Sequence, residues 1–411
     1  MRIGISASGF GWAGGVELLR HFTSALMAVQ PAHTIELHLL LPADHHVGSA
    51  RDVLTLGVNA MRATVQRRRL VVPRRQVRWH SSLDDFFSAL RDRSVQAHVY
   101  ENSSGGLARC LRRAGIDVVF PMGQSLGAHF STPWVGYIPD FQHRYLTHLF
   151  KSRECFDREI IFSSVLRDAP ALVVNSRAVR EDIRRFYQWM PADRVFALPF
   201  APTALAAWFD ELSPSEMSSY RRPARYFIIS NQFWAHKDHP TAFRALAKIR
   251  QTAEFADVEI ICTGTMDDYR NKDYQQQIVA QIESLGLTGC VKLLGHIPKR
   301  HQIELMKSSI ASVQPTLFEG GPGGGSTYDA VALGVPVILS DIPVNNEVDV
   351  AGTQLFTPGD ASALAELMAI QLRTPLRRPT VDVLMQRTLA RQQVLGDTLV
   401  SALTAATRYG R

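Results

Sequence analysis

The stretch that decides the fold is FEGGPGGGSTYDAVALGVPVILSDIP, which spans residues 318–343. It places one acidic residue, Glu319, before five glycines that are interrupted only by Pro322. The apolar run VPVIL, residues 335–339, predicts a buried parallel strand. Gly334 suits the C′ position of a short helix between the glycines and that strand. A glycine loop, a helix and a buried strand in this order are typical of α/β domains.

The helix after the glycines has a start signal, since Ser326 can cap it and Asp329 can close a capping box. Glycines let backbone amides approach a ligand, and a helix N-terminus adds unpaired donors and about half a positive charge. This combination favours an anion such as a diphosphate. Because Glu319 and Asp329 would repel it, we expect them to accept hydrogen bonds from hydroxyl groups, as a nucleotide sugar would offer. The alternative without a ligand is a glycine-rich turn and a capped helix, and it explains Asp329 best.

Composition indicates a globular protein of two or three domains, because 411 residues exceed what one ordinary core holds. Hydrophobic residues make up 46% and charged residues 20%, which is a globular profile. No run of about 18 apolar residues predicts a membrane span, and no signal-peptide pattern is present. The four cysteines are far apart, which disfavours zinc fingers and disulfide frameworks and favours a reducing cytoplasm.

The chain is basic, with a net charge of +7. Its densest basic cluster lies in residues 67–78 and brackets the short apolar run LVV, residues 70–72. Such a cluster could lie on an anionic membrane face, or it could be a solvated basic edge. Nucleic acid is not an expected partner, because no helix-turn-helix or RNA-binding motif is evident.

The N-terminus also combines a strand, a glycine loop and a helix, with the strand at Ile3–Ser6 and the helix over Val16–Leu26. The loop GFGWAGG does not match GxGxxG, and no acidic residue follows at the usual distance, so we expect no nicotinamide cofactor. Gly14 and Gly15 could still let the backbone approach a phosphate or an acceptor sugar. Strand-like and helix-like segments then alternate, which favours a parallel α/β sheet.

Polar residues follow two predicted strands, and ligands of open α/β sheets bind beyond the carboxyl ends of strands. Asp140 and His143 follow the strand-like segment Trp134–Ile138. A lone histidine is more often structural than functional. Lys237 follows the strand-like segment Arg225–Ser230 and could hold a phosphate as a point charge, or it could be a solvated lysine.

A stretch rich in proline and serine, residues 202–225, separates two α/β halves and indicates a linker. We predict a first domain over residues 1–203, a linker over 204–224, a second domain over 225–385 and a C-terminal helix over 386–411. The loop around His296 could offer backbone groups to a nucleobase.

Together these segments resemble the GT-B glycosyltransferases, in particular the retaining family 4 group. The strongest part is residues 292–348, and the supporting segments are GGVELLRHF (14–22), VGYIPDFQHRYL (135–146), VVNSRAVREDIRRFY (173–187) and ISNQFWAHKDHPTAF (229–243). The resemblance implies two facing Rossmann-like domains with parallel sheets and an active site in the cleft. It places the acceptor on the first domain and the donor mainly on the second, with a final helix that crosses back onto the first.

The resemblance also assigns roles to single residues. Glu319 matches the first acidic residue of the family's Glu-x7-Glu motif, expected at the sugar hydroxyls, and Asp329 lines up with the second, expected at the ribose. The two are ten residues apart rather than eight, so the glycine loop carries an insertion. Lys237 matches the diphosphate-binding lysine, whereas Gln232 stands where many members have an arginine. The expected donor-binding residues are Gly14, Gly15, Gln232, Lys237, His296, Glu319, Gly323, Gly324, Gly325 and Asp329, and the expected catalytic residues are Asp140, His143, Lys237 and Glu319.

The activity that this resemblance implies is transfer of a hexosyl unit, with retention, from GDP-mannose or a UDP-sugar to a saccharide or lipid-linked saccharide. It implies no metal and no other cofactor. It also implies a role in bacterial surface polysaccharide or lipopolysaccharide assembly, at the inner face of the cytoplasmic membrane. Two alternatives stay open: a non-catalytic nucleotide-sugar-binding protein with a degenerate fold, and a GT-B enzyme such as a nucleotide-sugar epimerase.

Overall fold

The computed structural model describes residues 1–10, 13–43 and 95–409. The basic cluster of residues 67–78 lies outside the described residues. The described strands are β1 Arg2–Ser6, β2 Glu36–Ala43, β3 Gln96–Glu101, β4 Val118–Met122, β5 Trp134–Ile138, β6 Ala171–Val174, β7 Val195–Ala197, β8 Tyr226–Ser230, β9 Glu259–Thr263, β10 Val291–Leu293, β11 Ser312–Gln314, β12 Val337–Ser340 and β13 Thr353–Phe356. The described helices are α1 Ala13–Val29, α2 Ser104–Ala114, α3 Gln142–Tyr145, α4 Ser152–Asp168, α5 Arg177–Phe186, α6 His239–Ile249, α7 Tyr274–Ser284, α8 Lys299–Ser308, α9 Gly325–Ala332, α10 Ala361–Arg373 and α11 Val381–Tyr409. None of these helices is both long and apolar enough to span a bilayer.

The first seven strands form one parallel sheet in the order β3-β2-β1-β4-β5-β6-β7. Strand β1 is an interior strand, in which Ile3 pairs with Leu37 of β2 on one side and with Val118 of β4 on the other. Every residue of β4 and β5 is buried, as expected for central strands with helices on both faces. Because β5 and β6 are parallel neighbours, their carboxyl ends lie at the same edge of the sheet. Asp140 and Ser176 follow these two strand ends.

The remaining six strands form a second parallel sheet in the order β10-β9-β8-β11-β12-β13. Strands β8 and β11 are neighbours in its centre. The segments that carry Lys237 and Glu319 leave the sheet from the ends of these two strands, which brings the two residues together although they are far apart in sequence. Two Rossmann-like parallel sheets confirm the predicted fold class.

The segment between β7 and β8, which contains the predicted linker, packs against the second domain. It includes a 3-10 turn at Ala206–Trp208. Trp208 is buried in the same apolar cluster as Tyr226 and Leu305. The two sheets are thus joined by a segment that is anchored in the second core.

Helix α11 crosses back onto the first domain, as predicted. Its residues Leu395, Leu399 and Leu403 are buried in one core with Leu19 and Phe22 of α1. The side-chain amide of Gln392 donates to the carbonyl oxygens of Ala201 and Pro202 at 2.8 and 3.1 Å. Apolar burial and this amide therefore fix the final helix on the first domain.

Gly396 lies where α11 packs closely against α1. A Cβ atom placed on Gly396 would lie 2.7 Å from Cγ1 of Val29, and closer still to the carbonyl oxygen of Ala25. The two helix backbones are therefore packed against each other without an intervening side chain.

Replacing Gly396 with alanine should lower stability, although alanine favours helix by about 1 kcal/mol. Overpacking between two backbones should cost about 1 to 3 kcal/mol and outweigh that gain. Thermal unfolding followed by circular dichroism measures the change. Ser401→Ala, at an exposed position of the same helix, is the control and should leave the midpoint nearly unchanged. A higher midpoint for Gly396→Ala would contradict this packing.

Candidate active site

The glycine loop enters α9 through two residues in the left-handed region, Gly323 and Gly324, with φ of 66° and 68°. Gly324 is the N-cap and no side chain caps the helix. The predicted capping box is wrong, because these two glycines turn the chain into the helix before Ser326. The hydroxyl of Ser326 instead meets the side-chain amide of Gln314. At the other end Gly334 follows the C-cap with φ 68°, which confirms its predicted C′ position.

Lys237 and Glu319 form an ion pair at the start of α9. Lys237 ends a 3-10 turn that follows β8, and the two side chains are only 12% and 10% exposed. A Cβ atom built on Gly324 would lie 3.1 Å from Oε1 of Glu319, so this carboxylate rests over the N-terminal end of the helix. A lysine, a carboxylate and a helix N-terminus therefore lie together at a site that is largely shielded from solvent. Charge interactions are strong at such a site.

Asp329 lies in a different pairing, with the ammonium group of Lys299 on α8. The amide of Gln302 approaches the same carboxylate at 3.5 Å, and Lys299 lies 5.5 Å from the ring centroid of Trp208. Burial raises the pKa of the Asp329 carboxyl, and Lys299 acts against this rise. The two acidic residues of the predicted motif, Glu319 and Asp329, thus form ion pairs with different lysines.

The first domain touches the loop of Glu319 directly. A Cβ atom on Gly320 would lie 2.7 Å from Cβ of Asp140 and nearer still to the carbonyl oxygen of Pro139. The rings of Tyr145 and Phe318 lie 5.4 Å apart between centroids. The loop that follows β5 is therefore held against the glycine loop, and Asp140 lies at this boundary between the domains.

His143 points away from this boundary, into the first domain. It is 2% exposed, and its Nε2 lies 2.7 Å from Oε1 of Glu159. Burial lowers the pKa of His143, and Glu159 opposes that shift. Burial alone would raise the pKa of Glu159, but hydrogen bonds from Arg144, Tyr187 and His143 hold it at about 2. The structure brings Asp140, and not His143, against the loop of Glu319.

The other predicted donor-binding residues lie near the loop ends of the two sheets. Gly14 and Gly15 form the first turn of α1, with Gly15 buried. Gln232 is half-buried after β8, and His296 is exposed after β10. In the part of the chain that the structure describes, no hydrogen bond joins these residues to Lys237 or Glu319.

Sequence reasoning missed the 3-10 turn Asn345–Glu347, which follows β12. Oδ1 of Asn345 accepts a hydrogen bond of 2.7 Å from the amide of Gly323. The carboxylate of Glu347 accepts bonds from backbone amides of the first domain, at Arg177 and Ala178. The polar triplet NNE just beyond an apolar strand was the available signal. Across the described residues, no group of three or more potential ligands is arranged for a metal ion.

Two comparisons with known proteins agree with this architecture. Residues 218–380 match the family model described as Glycosyl transferases group 1. The sequence matches none of the curated proteins. Among solved structures, HepE of Anabaena with UDP-glucose is 16% identical, covers 100% of this chain and 98% of its own, and has a TM-score of 0.58.

Two further structures have the same fold. Sucrose-phosphate synthase from Thermosynechococcus elongatus is 15% identical, with coverage of 100% and 98% and a TM-score of 0.59. The lipopolysaccharide outer core galactosyltransferase WaaB is 14% identical, with coverage of 98% and 99% and a TM-score of 0.55. At such identities the likeness shows the GT-B fold. With the family match, it supports the predicted glycosyltransferase group 1 family and the predicted class of enzyme.

Alanine at position 320 should separate the two domains, because its Cβ would collide with the backbone at Pro139. We expect a larger radius of gyration by small-angle X-ray scattering with unchanged secondary structure. Gly321→Ala is the matched control, since its Cβ would meet the Tyr328 hydroxyl at 3.6 Å and Cβ of Asn175 at 3.9 Å, which are ordinary contacts. If both variants scatter like the wild type, the contact at Gly320 does not set the domain arrangement.

Proposed function

We propose that the protein is a retaining glycosyltransferase of the family 4 type that transfers a hexosyl unit from a UDP-sugar. The observation that carries this proposal is the buried pair of Lys237 and Glu319 at the N-terminal end of α9, opposite Asp140 of the other domain. Both residues lie within the segment that matches the group 1 model. The likeness to HepE, which was solved with UDP-glucose, favours a uridine donor over GDP-mannose.

Donor binding replaces the carboxylate of Glu319 with the diphosphate of the donor as the anionic partner of Lys237. In the described structure Glu319 neutralises Lys237 and lies over the glycine loop. The diphosphate of the donor would bind both Lys237 and the first backbone amides of α9, because its two phosphates carry more charge than one carboxylate. Glu319 is then free to accept hydrogen bonds from hydroxyl groups of the transferred sugar.

Bond breaking leaves negative charge on the departing diphosphate. Lys237 and the N-terminus of α9 stabilise this charge as the bond between the anomeric carbon and the phosphate oxygen breaks. The acceptor hydroxyl attacks the anomeric carbon from the face that the diphosphate leaves, and its proton passes to the departing phosphate oxygen. Configuration is thereby retained without a covalent enzyme intermediate, which would need a carboxylate nucleophile beside the anomeric carbon. We propose that no metal takes part, because a fixed lysine supplies the positive charge.

The acceptor in this proposal is a saccharide or lipid-linked saccharide of bacterial surface polysaccharide assembly. The likeness to WaaB, a lipopolysaccharide galactosyltransferase, supports this assignment. The basic cluster of residues 67–78 would contact an anionic membrane at its cytoplasmic face.

A non-catalytic nucleotide-sugar-binding protein is the second candidate. Its support is that both predicted donor-binding carboxylates, Glu319 and Asp329, are already paired with lysines. Incubation with UDP-, GDP-, ADP- and dTDP-sugars and saccharide acceptors, with product analysis, separates the candidates. Donor binding without transfer for every pair supports the second candidate, and sugar transfer supports the first.

Lys237→Met should reduce sugar transfer by at least about a hundredfold, because loss of a fixed charge at the leaving group costs about 3 kcal/mol or more. Initial rates with the best donor and acceptor measure the loss. Lys292→Met is the matched control: it also removes a lysine paired with a glutamate, Glu259, and the two side chains are 19% and 14% exposed. Near-normal transfer by Lys237→Met would refute the assigned role.

Glu319→Gln should bind UDP and inorganic pyrophosphate more tightly while it transfers sugar more slowly. A charge-assisted bond that competes for Lys237 contributes about 1.5 kcal/mol, so its loss should tighten binding about tenfold. Isothermal titration calorimetry measures the affinity, with Glu259→Gln as the control. Weaker binding by Glu319→Gln would show that the carboxylate does not compete with the diphosphate.

A further inference from the structure

The N-terminus of α5, in the first domain, is capped by a carboxylate of the second domain. Glu347 accepts hydrogen bonds of 3.0 Å from the amide of Arg177 and 2.8 Å from that of Ala178. The guanidinium of Arg177 lies 3.3 Å from the same carboxylate, and Glu347 is 7% exposed. Unpaired amides and the positive end of a helix are favourable partners for a carboxylate.

The same helix end is bonded to the glycine loop. Ser176 is the N-cap of α5, and its Oγ accepts a bond from the amide of Val179 at 3.2 Å. Its hydroxyl donates to the carbonyl oxygen of Gly320 at 2.9 Å. One helix terminus of the first domain therefore contacts two loops of the second.

These two loops are joined to each other by Asn345. Its Oδ1 accepts a hydrogen bond from the amide of Gly323, and its Nδ2 donates one of 2.8 Å to the carbonyl oxygen of Ser340. Asn345 is fully buried, so the turn cannot shift without the glycine loop. The turn Asn345–Glu347 thus connects the proposed diphosphate site to α5 within three residues.

We propose that Glu347 is a positioning residue that locks the two domains together and couples an occupied glycine loop to a closed cleft. The inference rests on the proposed function for its coupling to the donor. The carboxylate of Glu347 contacts the α5 amides only when the two domains are in contact, and it is hydrated when the domains separate. A buried charge of this kind restricts the two domains to one relative geometry and adds little to their affinity for each other. A diphosphate that orders Gly323 therefore also orders the turn that holds the first domain.

Glu347→Gln tests this role, because glutamine keeps the size but presents an NH₂ group to donors. We expect kcat to fall about 10- to 100-fold and the Kd for UDP to rise about fivefold or more, because closure that is coupled to the occupied loop contributes to donor affinity. Small-angle scattering of the unliganded protein should show a larger radius of gyration than the wild type. A purely structural role would instead lower the melting temperature without a selective effect on kcat.

Glu181→Gln is the matched control, since it removes an exposed carboxylate on α5 whose ion-pair partner among the described residues is Arg184 of the same helix. Wild-type kcat and wild-type scattering for Glu347→Gln would overturn the proposal. If the wild type transfers no sugar, the proposed function fails, and the scattering of the unliganded proteins still decides whether Glu347 holds the domains together. Circular dichroism establishes that each variant is folded.

Discussion

The neutralisation of Lys237 by Glu319 is the interaction on which the site depends. A lysine that is only 12% exposed needs an anionic partner, because an unpaired charge in such a place carries a large desolvation cost. The second sheet supplies that partner by placing β8 and β11 side by side, so that residues 82 positions apart meet at the start of α9. In the proposed function, the same arrangement favours an anion that can displace a carboxylate, such as the diphosphate of a donor.

Contacts between the domains converge on the same glycine loop. Gly320 lies against the first-domain loop at Pro139, its carbonyl oxygen is bonded to Ser176, and Gly323 is tied through the neighbouring turn to Glu347. In the proposed function, this loop supplies amides to the donor and lies at the domain boundary, so it can couple ligand binding to the arrangement of the domains, since packed interfaces favour discrete arrangements over gradual deformation. In the proposed function, one short segment thus contributes both to donor binding and to closure of the cleft.

Local patterns in the sequence predicted the parallel sheets, the glycine loop and the helix after it, because strand and helix periodicity is encoded by near neighbours. The capping box at Ser326 failed because two left-handed glycines begin the helix earlier. The partners of Asp329 and Glu347 could not be predicted, since Lys299 is 30 residues away and the α5 amides are about 170 away. His143 lies in the short helix α3, just beyond the carboxyl end of β5, but its ring is turned towards Glu159, and only the packing of the core determines this orientation.

The path of helix α11 has a consequence for synthesis of the chain. The first domain is discontinuous in sequence, because Leu395, Leu399 and Leu403 complete a core that begins at Ile3. On the ribosome, nearly all of the second domain emerges before these leucines do. Until then the groove beside Leu19 and Phe22 stays uncovered, and such apolar surface is what molecular chaperones bind. The first half of this enzyme fold therefore reaches its native state last, after translation has passed through the second.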